Sequence, residues 1–294
     1  MSPPLFSPPY GFLGLEPERS RLETSRFVVL PVPYEQTTTF GGGTRSGPEA
    51  ILRASREVEL WDDELGAEPA EMGIHTRPAL EPSASGPVEM VDRIRRAVCD
   101  LDHNGRIPVL LGGEHTVSVG AVQAIVDRRP DLVAVVLDAH ADLRNEYQGS
   151  PLSHACAARR ISEQCPIVQI GIRSMSKEES GFAGDESGGF FSMGRIRSDS
   201  DWMGEMISRV SGKRVYLSID LDVLDPGIMP SVGTPEPGGL GWYEITLITA
   251  EIAKSAEVVA FDVVELAPIP GLIAPDFLAA RLVYKVMGQI AGEL

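Results

Sequence analysis

The stretch that decides the fold is Val135-Val-Leu-Asp138-Ala-His140-Ala-Asp142, where an apolar run ends in three potential metal ligands at alternate positions. A strand that is buried on both faces of a sheet reads as a continuous apolar run. Such a run cannot hold two carboxylates and an imidazole within it. We therefore expect Asp138, His140 and Asp142 to follow the strand at its carboxyl end.

Two other apolar runs end in the same kind of residue. The run at 107–111 leads into Gly112-Gly-Glu-His115, and the run at 215–219 leads into Asp220-Leu-Asp222. The carboxyl ends of parallel strands meet at one edge of a sheet, where α/β proteins bind their ligands. The sequence therefore predicts that three strands deliver histidine and aspartate side chains to a common edge.

Strand-like and helix-like patterns alternate from residue 26 to the C-terminus. This alternation predicts an α/β fold with three αβα layers around a mostly parallel sheet. Residues 1–25 are rich in proline and lack periodicity, so we expect an N-terminal, mobile arm followed by a single catalytic domain at 26–294. Residues 176–200 give no clear signal.

Composition and charge exclude several classes of protein. The 294 residues carry a formal net charge of -16, which argues against a nucleic-acid partner and suits a cationic substrate or metal ions. No apolar stretch approaches the ~20 residues that span a bilayer, and the N-terminus lacks the features of a signal peptide. We therefore expect no membrane partner. The three cysteines form no CxxC pair, so we expect no thiolate zinc site and a cytoplasmic protein.

Six side chains at the predicted sheet edge are candidate metal ligands. Aspartate and histidine together suit divalent cations such as Mn²⁺, Fe²⁺ or Zn²⁺. Six ligands are too many for one ion that keeps an open position, whereas two ions roughly 3.5 to 4 Å apart would use all of them and perform metal-assisted hydrolysis. The candidates are His115, Asp138, His140, Asp142, Asp220 and Asp222.

Glycine-rich segments suggest other functions that their spacing excludes. The segment Gly41-Gly-Gly-Thr-Arg-Ser-Gly47 continues with Pro48 rather than with lysine, so it is not a phosphate-binding P-loop. The chain has no GxSxG motif of an esterase. Gly112 and Gly113 are expected to form a tight turn before His115.

Taken in order, these motifs resemble those of the ureohydrolases, the manganese enzyme family of arginase and agmatinase. The resemblance runs from about residue 27 to about residue 288. It rests on five segments, Gly112–His115, Asp138–Asp142, Ser218–Pro226, Gly233–Leu240 and Asp262–Leu266. Glu114 departs from the family's more common aspartate at that position.

The resemblance implies an arginase-like fold and two Mn²⁺ ions per subunit. His115 and Asp142 would bind one ion, and His140 and Asp222 the other. Asp138 and Asp220 would bridge the two. Asp142 would also pass a proton toward the leaving amine.

Three more residues take roles from the resemblance. Glu265 would receive the guanidinium group of the substrate, His154 would line the pocket and assist proton transfer, and Thr234 lies in the segment expected to contact substrate. The segment at 143–150 is similar to that of the agmatinase branch rather than to the arginases.

The activity implied is the release of urea from agmatine or N1-aminopropylagmatine in polyamine biosynthesis, by a homo-oligomer that is a trimer or hexamer. Arginase or guanidinobutyrase activity is the nearest alternative. A catalytically silent regulatory protein of the same fold and a metal-dependent amide hydrolase are alternatives of other kinds.

Overall fold

The computed structural model describes residues 10–103, 105–185 and 189–292, so residues 1–9 of the expected arm lie outside the described part. Eight strands of these residues form one sheet in which every neighbouring pair is parallel, in the order β2-β1-β3-β8-β7-β4-β5-β6. The strands are β1 Phe27–Val32, β2 Ile74–Thr76, β3 Ile107–Gly112, β4 Leu132–Leu137, β5 Ile167–Ile172, β6 Phe190–Ser192, β7 Arg214–Asp220 and β8 Glu257–Val264.

Helices connect the strands and cover both faces of the sheet. They are α1 Pro17–Ser20, α2 Gly47–Ser55, α3 Pro87–Leu101, α4 Thr116–Val126, α5 Ala157–Ser162, α6 Lys177–Asp185, α7 Met193–Ser198, α8 Trp202–Val210, α9 Trp242–Ser255 and α10 Ala274–Ala291. None of the helices in the described ranges combines the length and the apolar character that crossing a bilayer requires.

Alternate residues of each strand enter opposite cores because successive side chains of a strand point to opposite faces. In β1, Phe27 and Val29 belong to one apolar cluster, whereas Val28 and Leu30 belong to the other. Helices α2, α8, α9 and α10 supply the first cluster, and α3, α4 and α5 supply the second. The predicted three-layer αβα fold with a parallel sheet is thereby confirmed.

The order of the strands creates a switch point in the middle of the sheet. After β3 the chain passes through α4 to β4 and leaves a gap that β7 and β8 fill later. The neighbours β3, β8, β7 and β4 therefore present their carboxyl ends side by side. Ligands of open parallel sheets bind at such a point.

Two strands were not predicted because both are short. β2 and β6 each contain three residues, too few to show a period of two. The segment at 176–200, which carried no clear signal, contains α6, β6 and α7.

The described part of the expected arm, residues 10–25, packs against the domain. Phe12, Leu13 and Leu15 are buried in the first apolar cluster, and Leu13 N donates a 2.8 Å hydrogen bond to Ser55 Oγ. Three apolar side chains close together bury enough surface to hold this segment although they show no helical or strand period. Residues 10–25 therefore differ from the expected mobile arm, while the domain boundary at residue 25 stays a prediction.

Candidate metal centre

The carboxyl ends of β8, β7, β4 and β5 border a cavity of about 250 Å³. Its lining includes Asp142, Asp220 and Asp222, together with His140 from the segment after β4. His115 and Asp138 lie beneath this lining and are almost fully buried. The structure thus brings all six candidate ligands to one edge of the sheet.

Three of these side chains form an inner group, His115, Asp138 and Asp220. Their exposed fractions are 1%, 0% and 3%. His115 Nδ1 lies 3.1 Å from Asp138 Oδ2 and 3.3 Å from Asp220 Oδ2. Their donor atoms are close enough for one cation to contact all three.

The ring of His115 is held from behind by the core. Its Nε2 lies 3.1 Å from Ser218 Oγ, and that hydroxyl donates a 2.7 Å hydrogen bond to Asp262 Oδ1. Tyr216 donates a short hydrogen bond to the other oxygen of Asp262. Because the single hydrogen of Ser218 goes to Asp262, Ser218 accepts from His115 Nε2–H, which leaves Nδ1 as the nitrogen that can bind a metal.

The role of this anchor could not be predicted from the sequence. Ser218 of β7 and Asp262 of β8 are cross-strand neighbours in the sheet register. A signal was present, because a polar side chain inside a buried strand is normally paired. The register that pairs Ser218 with Asp262 is not visible in a single sequence.

An outer group shares Asp138 with the inner group and adds His140 and Asp222. His140 Nδ1 lies 2.7 Å from Asp222 Oδ2, and Asp222 Oδ1 accepts a 2.9 Å hydrogen bond from Ala139 N. Asp138 Oδ1 accepts a 2.6 Å hydrogen bond from His140 N. The side chain of His140 is 25% exposed, so the outer group is open to solvent on one side.

Asp142 lies between the ligand groups and the cavity. Its Oδ2 is 3.3 Å from His115 Nδ1, and its backbone oxygen accepts a 2.9 Å hydrogen bond from Arg159 N. Its φ of 49° is in the left-handed region. Backbone strain of this kind is common where a side chain must be aimed at a functional site.

The carboxylates of both groups repel one another. Burial raises the pKa of Asp138 well above its ordinary value, and the charges of Asp222, Asp220 and Asp142 raise it further. Burial and then Asp222 raise the pKa of Asp220 to about 7. Burial would lower the pKa of His140, but the hydrogen bond and charge of Asp222 outweigh it and bring the pKa to about 10. A cation placed among these carboxylates would relieve the repulsion.

Two buried atoms of the inner group indicate where such a cation fits. Among the described residues, neither His115 Nδ1 nor Asp138 Oδ2 has a hydrogen-bond partner, although they lie only 3.1 Å apart. Buried polar atoms without a partner are rare and call for an explanation. Imidazole and carboxylate atoms that converge without hydrogen bonding fit a divalent cation.

Glu265, directly after β8, lines the same cavity. Its Oε1 accepts a 2.7 Å hydrogen bond from His115 N, and its own N–H donates to Gly113 O at 2.8 Å. Burial and the charges of Asp220 and Glu114 raise its pKa well above the ordinary value. Its φ of 66° is also left-handed, so Asp142 and Glu265 are both held in strained backbone at this edge.

The chain bends at Gly113 and Glu114 and turns into α4 at His115, as expected, and both glycines also serve close packing. Neither Gly112 nor Gly113 has a positive φ. A Cβ on Gly113 would lie 1.9 Å from the Tyr34 carbonyl oxygen, and one on Gly112 would lie 2.6 Å from a methyl group of Val264. Only glycine lets the chain pass so close to its neighbours at this point.

His154 and Thr234 both line the cavity, as expected for residues near a substrate. His154 begins a short 3₁₀ turn before α5, and its Nδ1 lies 3.2 Å from Thr37 Oγ1. The ring of Tyr147 meets that of His154 edge to face, with centroids 6.5 Å apart. Their roles toward a substrate stay predictions.

Arg173 supports the loops beneath the outer group, and sequence reasoning did not identify it. Its guanidinium donates to the carbonyl oxygens of Asp222 at 2.7 Å, Leu224 at 3.3 Å and Glu236 at 2.8 Å. Because one guanidinium donates to several carbonyl oxygens, Arg173 fixes the loop that carries Asp222. A lone arginine after β5 offers no sequence pattern that would reveal this contact.

Several known proteins resemble this chain in sequence and in structure. The profile described as the arginase family matches residues 25–288. An N(1)-aminopropylagmatine ureohydrolase of Thermus thermophilus is 43% identical over 269 residues, which is 90% of each chain. Another, of Synechocystis sp., is 38% identical over 268 residues, which is 89% of this chain and 88% of that protein. The crystal structure of the agmatine ureohydrolase of Thermoplasma volcanium superposes with a TM-score of 0.83 at 30% identity over 92% of each chain. This chain belongs to the arginase family.

Proposed function

We propose that the protein releases urea from the guanidino group of N1-aminopropylagmatine, with agmatine as the shorter alternative substrate, and that it uses two Mn²⁺ ions. The observation that carries the proposal is the pair of ligand groups that share Asp138, in the same cavity as Glu265. The names of the Thermus and Synechocystis relatives support the longer substrate. By this proposal the reaction serves polyamine biosynthesis.

The residues around the cavity would have different roles in the reaction. The inner group and Asp142 would hold one cation, and the outer group the other, with Asp138 and Asp220 shared. When bound, two divalent cations supply a nucleophile from water at neutral pH and polarise the group under attack. Glu265 would pair with the planar guanidinium, which can donate two parallel hydrogen bonds to a carboxylate.

Asp142 and His154 would move the proton. Asp142 lies beside His115 and also lines the cavity, so it can take a proton near the attacked carbon. His154 lines the same cavity and can assist transfer to the leaving amine. Thr234, on the lining after β7, would contact the substrate chain.

The charges of the lining favour a cationic substrate without a carboxylate. In the described lining, five carboxylate side chains face one guanidinium, that of Arg144. Arg144 is already engaged, with its guanidinium carbon 4.8 Å from the centre of the Tyr147 ring and its Nε 3.7 Å from Glu179 Oε2. The α-carboxylate of arginine would thus enter a lining in which carboxylates outnumber cationic side chains, and their charges would repel it.

The first test is a urea-release assay with N1-aminopropylagmatine, agmatine, arginine and 4-guanidinobutyrate on the Mn²⁺-loaded protein. We expect kcat/KM for one of the first two to exceed that for arginine by at least ~100-fold, which corresponds to about 2.7 kcal/mol. Comparable turnover of arginine or 4-guanidinobutyrate would instead support an arginase or a guanidinobutyrase. Absence of urea from all four would support a silent protein of the same fold.

The second test addresses the guanidinium end of the substrate. Glu265→Gln keeps the shape of the side chain and removes its charge, so we expect kcat/KM to fall at least ~100-fold while both metals stay bound. Asp276→Asn is the matched control, since it changes a buried carboxylate in α10 that pairs with Arg53 instead. Normal activity of Glu265→Gln, or an equal loss in both variants, would contradict the assignment of Glu265.

Two further parts of the proposal concern the state of the protein. A homo-oligomer, trimeric or hexameric, and a cytoplasmic location are proposed, and the three free cysteines are consistent with a reducing compartment. Light scattering of the purified protein measures the oligomeric state directly.

A further inference from the structure

Glu114 directly precedes the candidate ligand His115, but its side chain contacts the loop after β1. It is fully buried, and its Oε2 accepts hydrogen bonds of 2.7 Å from both Gln36 N and Thr37 N. Its Oε1 accepts a 2.8 Å hydrogen bond from the hydroxyl of Thr37. Glu114 therefore fastens the loop after β1 to the turn between β3 and α4.

The same hydroxyl meets His154 at two points. Thr37 Oγ1 accepts a 2.9 Å hydrogen bond from His154 N and lies 3.2 Å from His154 Nδ1. A hydroxyl has one hydrogen to donate and two lone pairs to accept with. Since the hydrogen goes to Glu114, both contacts with His154 must be donated by His154.

This count fixes which ring nitrogen carries the proton. The ring of neutral histidine has one N–H, and here it must be Nδ1–H so that it can donate to Thr37. Nε2 is then the nitrogen with a free lone pair, and no group among the described residues hydrogen-bonds it. His154 lines the cavity, so this free nitrogen is the one available to take a proton there.

We propose that Glu114, acting through Thr37, is a positioning residue that holds neutral His154 as the Nδ1–H tautomer and keeps Nε2 as the proton acceptor at the cavity. The catalytic consequence rests on the proposed function, whereas the tautomer itself does not. Thr37 is absent from the cavity lining, so it acts through His154 and not on the substrate. The longer side chain of glutamate explains how residue 114 reaches the loop at Gln36 and Thr37.

Two variants along this chain of hydrogen bonds change the tautomer in different ways. In Glu114→Gln the carbonyl oxygen would accept from the two backbone N–H groups, and the amide would donate to Thr37. The Thr37 hydroxyl must then donate to His154 Nδ1, which moves the ring proton to Nε2. Thr37→Val removes the hydroxyl and leaves the tautomer without a fixed partner, and Thr37→Ser restores it.

Ser153 provides the matched control. Its hydroxyl is a second neighbour of His154 Nδ1, at the longer distance of 3.4 Å, and is not among the groups that hydrogen-bond Glu114. Ser153→Ala removes a hydroxyl beside the same ring nitrogen. We expect this variant to keep the Nδ1–H tautomer and the wild-type kcat.

The experiment is ¹⁵N NMR of histidine-labelled, Zn²⁺-loaded full-length protein in the solid state at alkaline pH, with kcat and KM measured on the Mn²⁺-loaded protein. The chain has five histidines, and His154→Asn identifies the signals of His154. We expect Nδ1–H in the wild type, Thr37→Ser and Ser153→Ala, and Nε2–H in Glu114→Gln. In Glu114→Gln and Thr37→Val, kcat should fall at least about tenfold with little change in KM or metal content.

An Nε2–H signal in the wild type, or an unchanged tautomer in Glu114→Gln, would overturn the proposal. An equal shift of the tautomer in Ser153→Ala would do the same. A changed tautomer with an unchanged kcat would overturn the link to proton transfer. If the wild type released no urea while NMR showed Nδ1–H, the proposed function would fail and the positioning of His154 would stand.

Discussion

The inner and outer groups use the same residue types at the same sheet edge, but they differ in their surroundings. His115 is 1% exposed and its ring is held from behind by Ser218, whereas the side chain of His140 is 25% exposed and its ring pairs most closely with Asp222. On the open side, His140 Nε2 lies 3.8 Å from Glu236 Oε1, whose side chain is 37% exposed. The core therefore orients the histidine of the inner group, while a neighbouring carboxylate orients the histidine of the outer group.

Burial has opposite consequences for the two groups. A buried cluster strengthens every electrostatic contact with a bound cation, because water does not screen it. The partly exposed His140 of the outer group would let solvent and substrate reach a cation there. We infer that the inner group gives the firmer metal site and the outer group the more accessible one.

The largest effect should come from Asp138, because both groups share it. Asp138→Asn keeps an oxygen for the hydrogen bond from His140 N and removes the charge beside His115 Nδ1. We expect both metals to bind weakly and urea release to fall to background, in a protein with an unchanged circular dichroism spectrum. Elemental analysis that found two metals per chain in this variant would contradict the shared role.

The next effect separates the groups. Asp222→Ala removes a candidate ligand of the outer group and leaves the inner group intact, so we expect about one metal per chain and a loss of activity of at least ~100-fold. The fold should survive because the buried apolar side chains of β7 stabilise this strand in the sheet. Asp131→Ala, the same change at an exposed carboxylate that pairs with Arg214, is the control. Near-normal urea release with full metal occupancy would rule out Asp222 as a ligand.

A smaller effect tests the anchor of the inner group. Ser218→Ala leaves His115 Nε2 without its partner, and changes of this kind typically weaken metal affinity by about 10- to 100-fold. The control is Ser118→Ala, which removes a buried hydroxyl 3.2 Å from Ser218 Oγ that does not hold the histidine. Metal titration should show a weakened inner site only in Ser218→Ala. Equal losses in both variants would mean that packing, and not orientation of the ring, is responsible.

The sequence reveals the fold and the ligand candidates for one physical reason. β3, β4 and β7 are buried runs of six or seven residues, so the polar residues that follow them are conspicuous. The alternation of such runs with helices predicts the parallel sheet. The assignment of individual ligands to each metal stays a prediction.

Contacts across long stretches of chain could not be read in this way. Glu114 meets Thr37 across 77 residues, and Ser218 meets Asp262 through a sheet register that no local pattern encodes. Phe12 and its neighbours showed no period although they enter the core. These residues support the site rather than form it, and support depends on tertiary packing.

The smallest effect should come from the cysteines, which belong to neither group. Burial raises the pKa of Cys156 and of Cys165 to about 11, so both thiols stay protonated at neutral pH and are poor ligands and nucleophiles. Cys156 lies two residues after His154, but its thiol faces Ser150 O at 3.8 Å. We therefore expect a variant with Cys99, Cys156 and Cys165 all changed to alanine to keep two metals and activity within a few-fold, with a modestly lower melting temperature. Loss of turnover on thiol alkylation of the native, metal-loaded wild type would show that one of these cysteines acts near His154, and single variants would identify it.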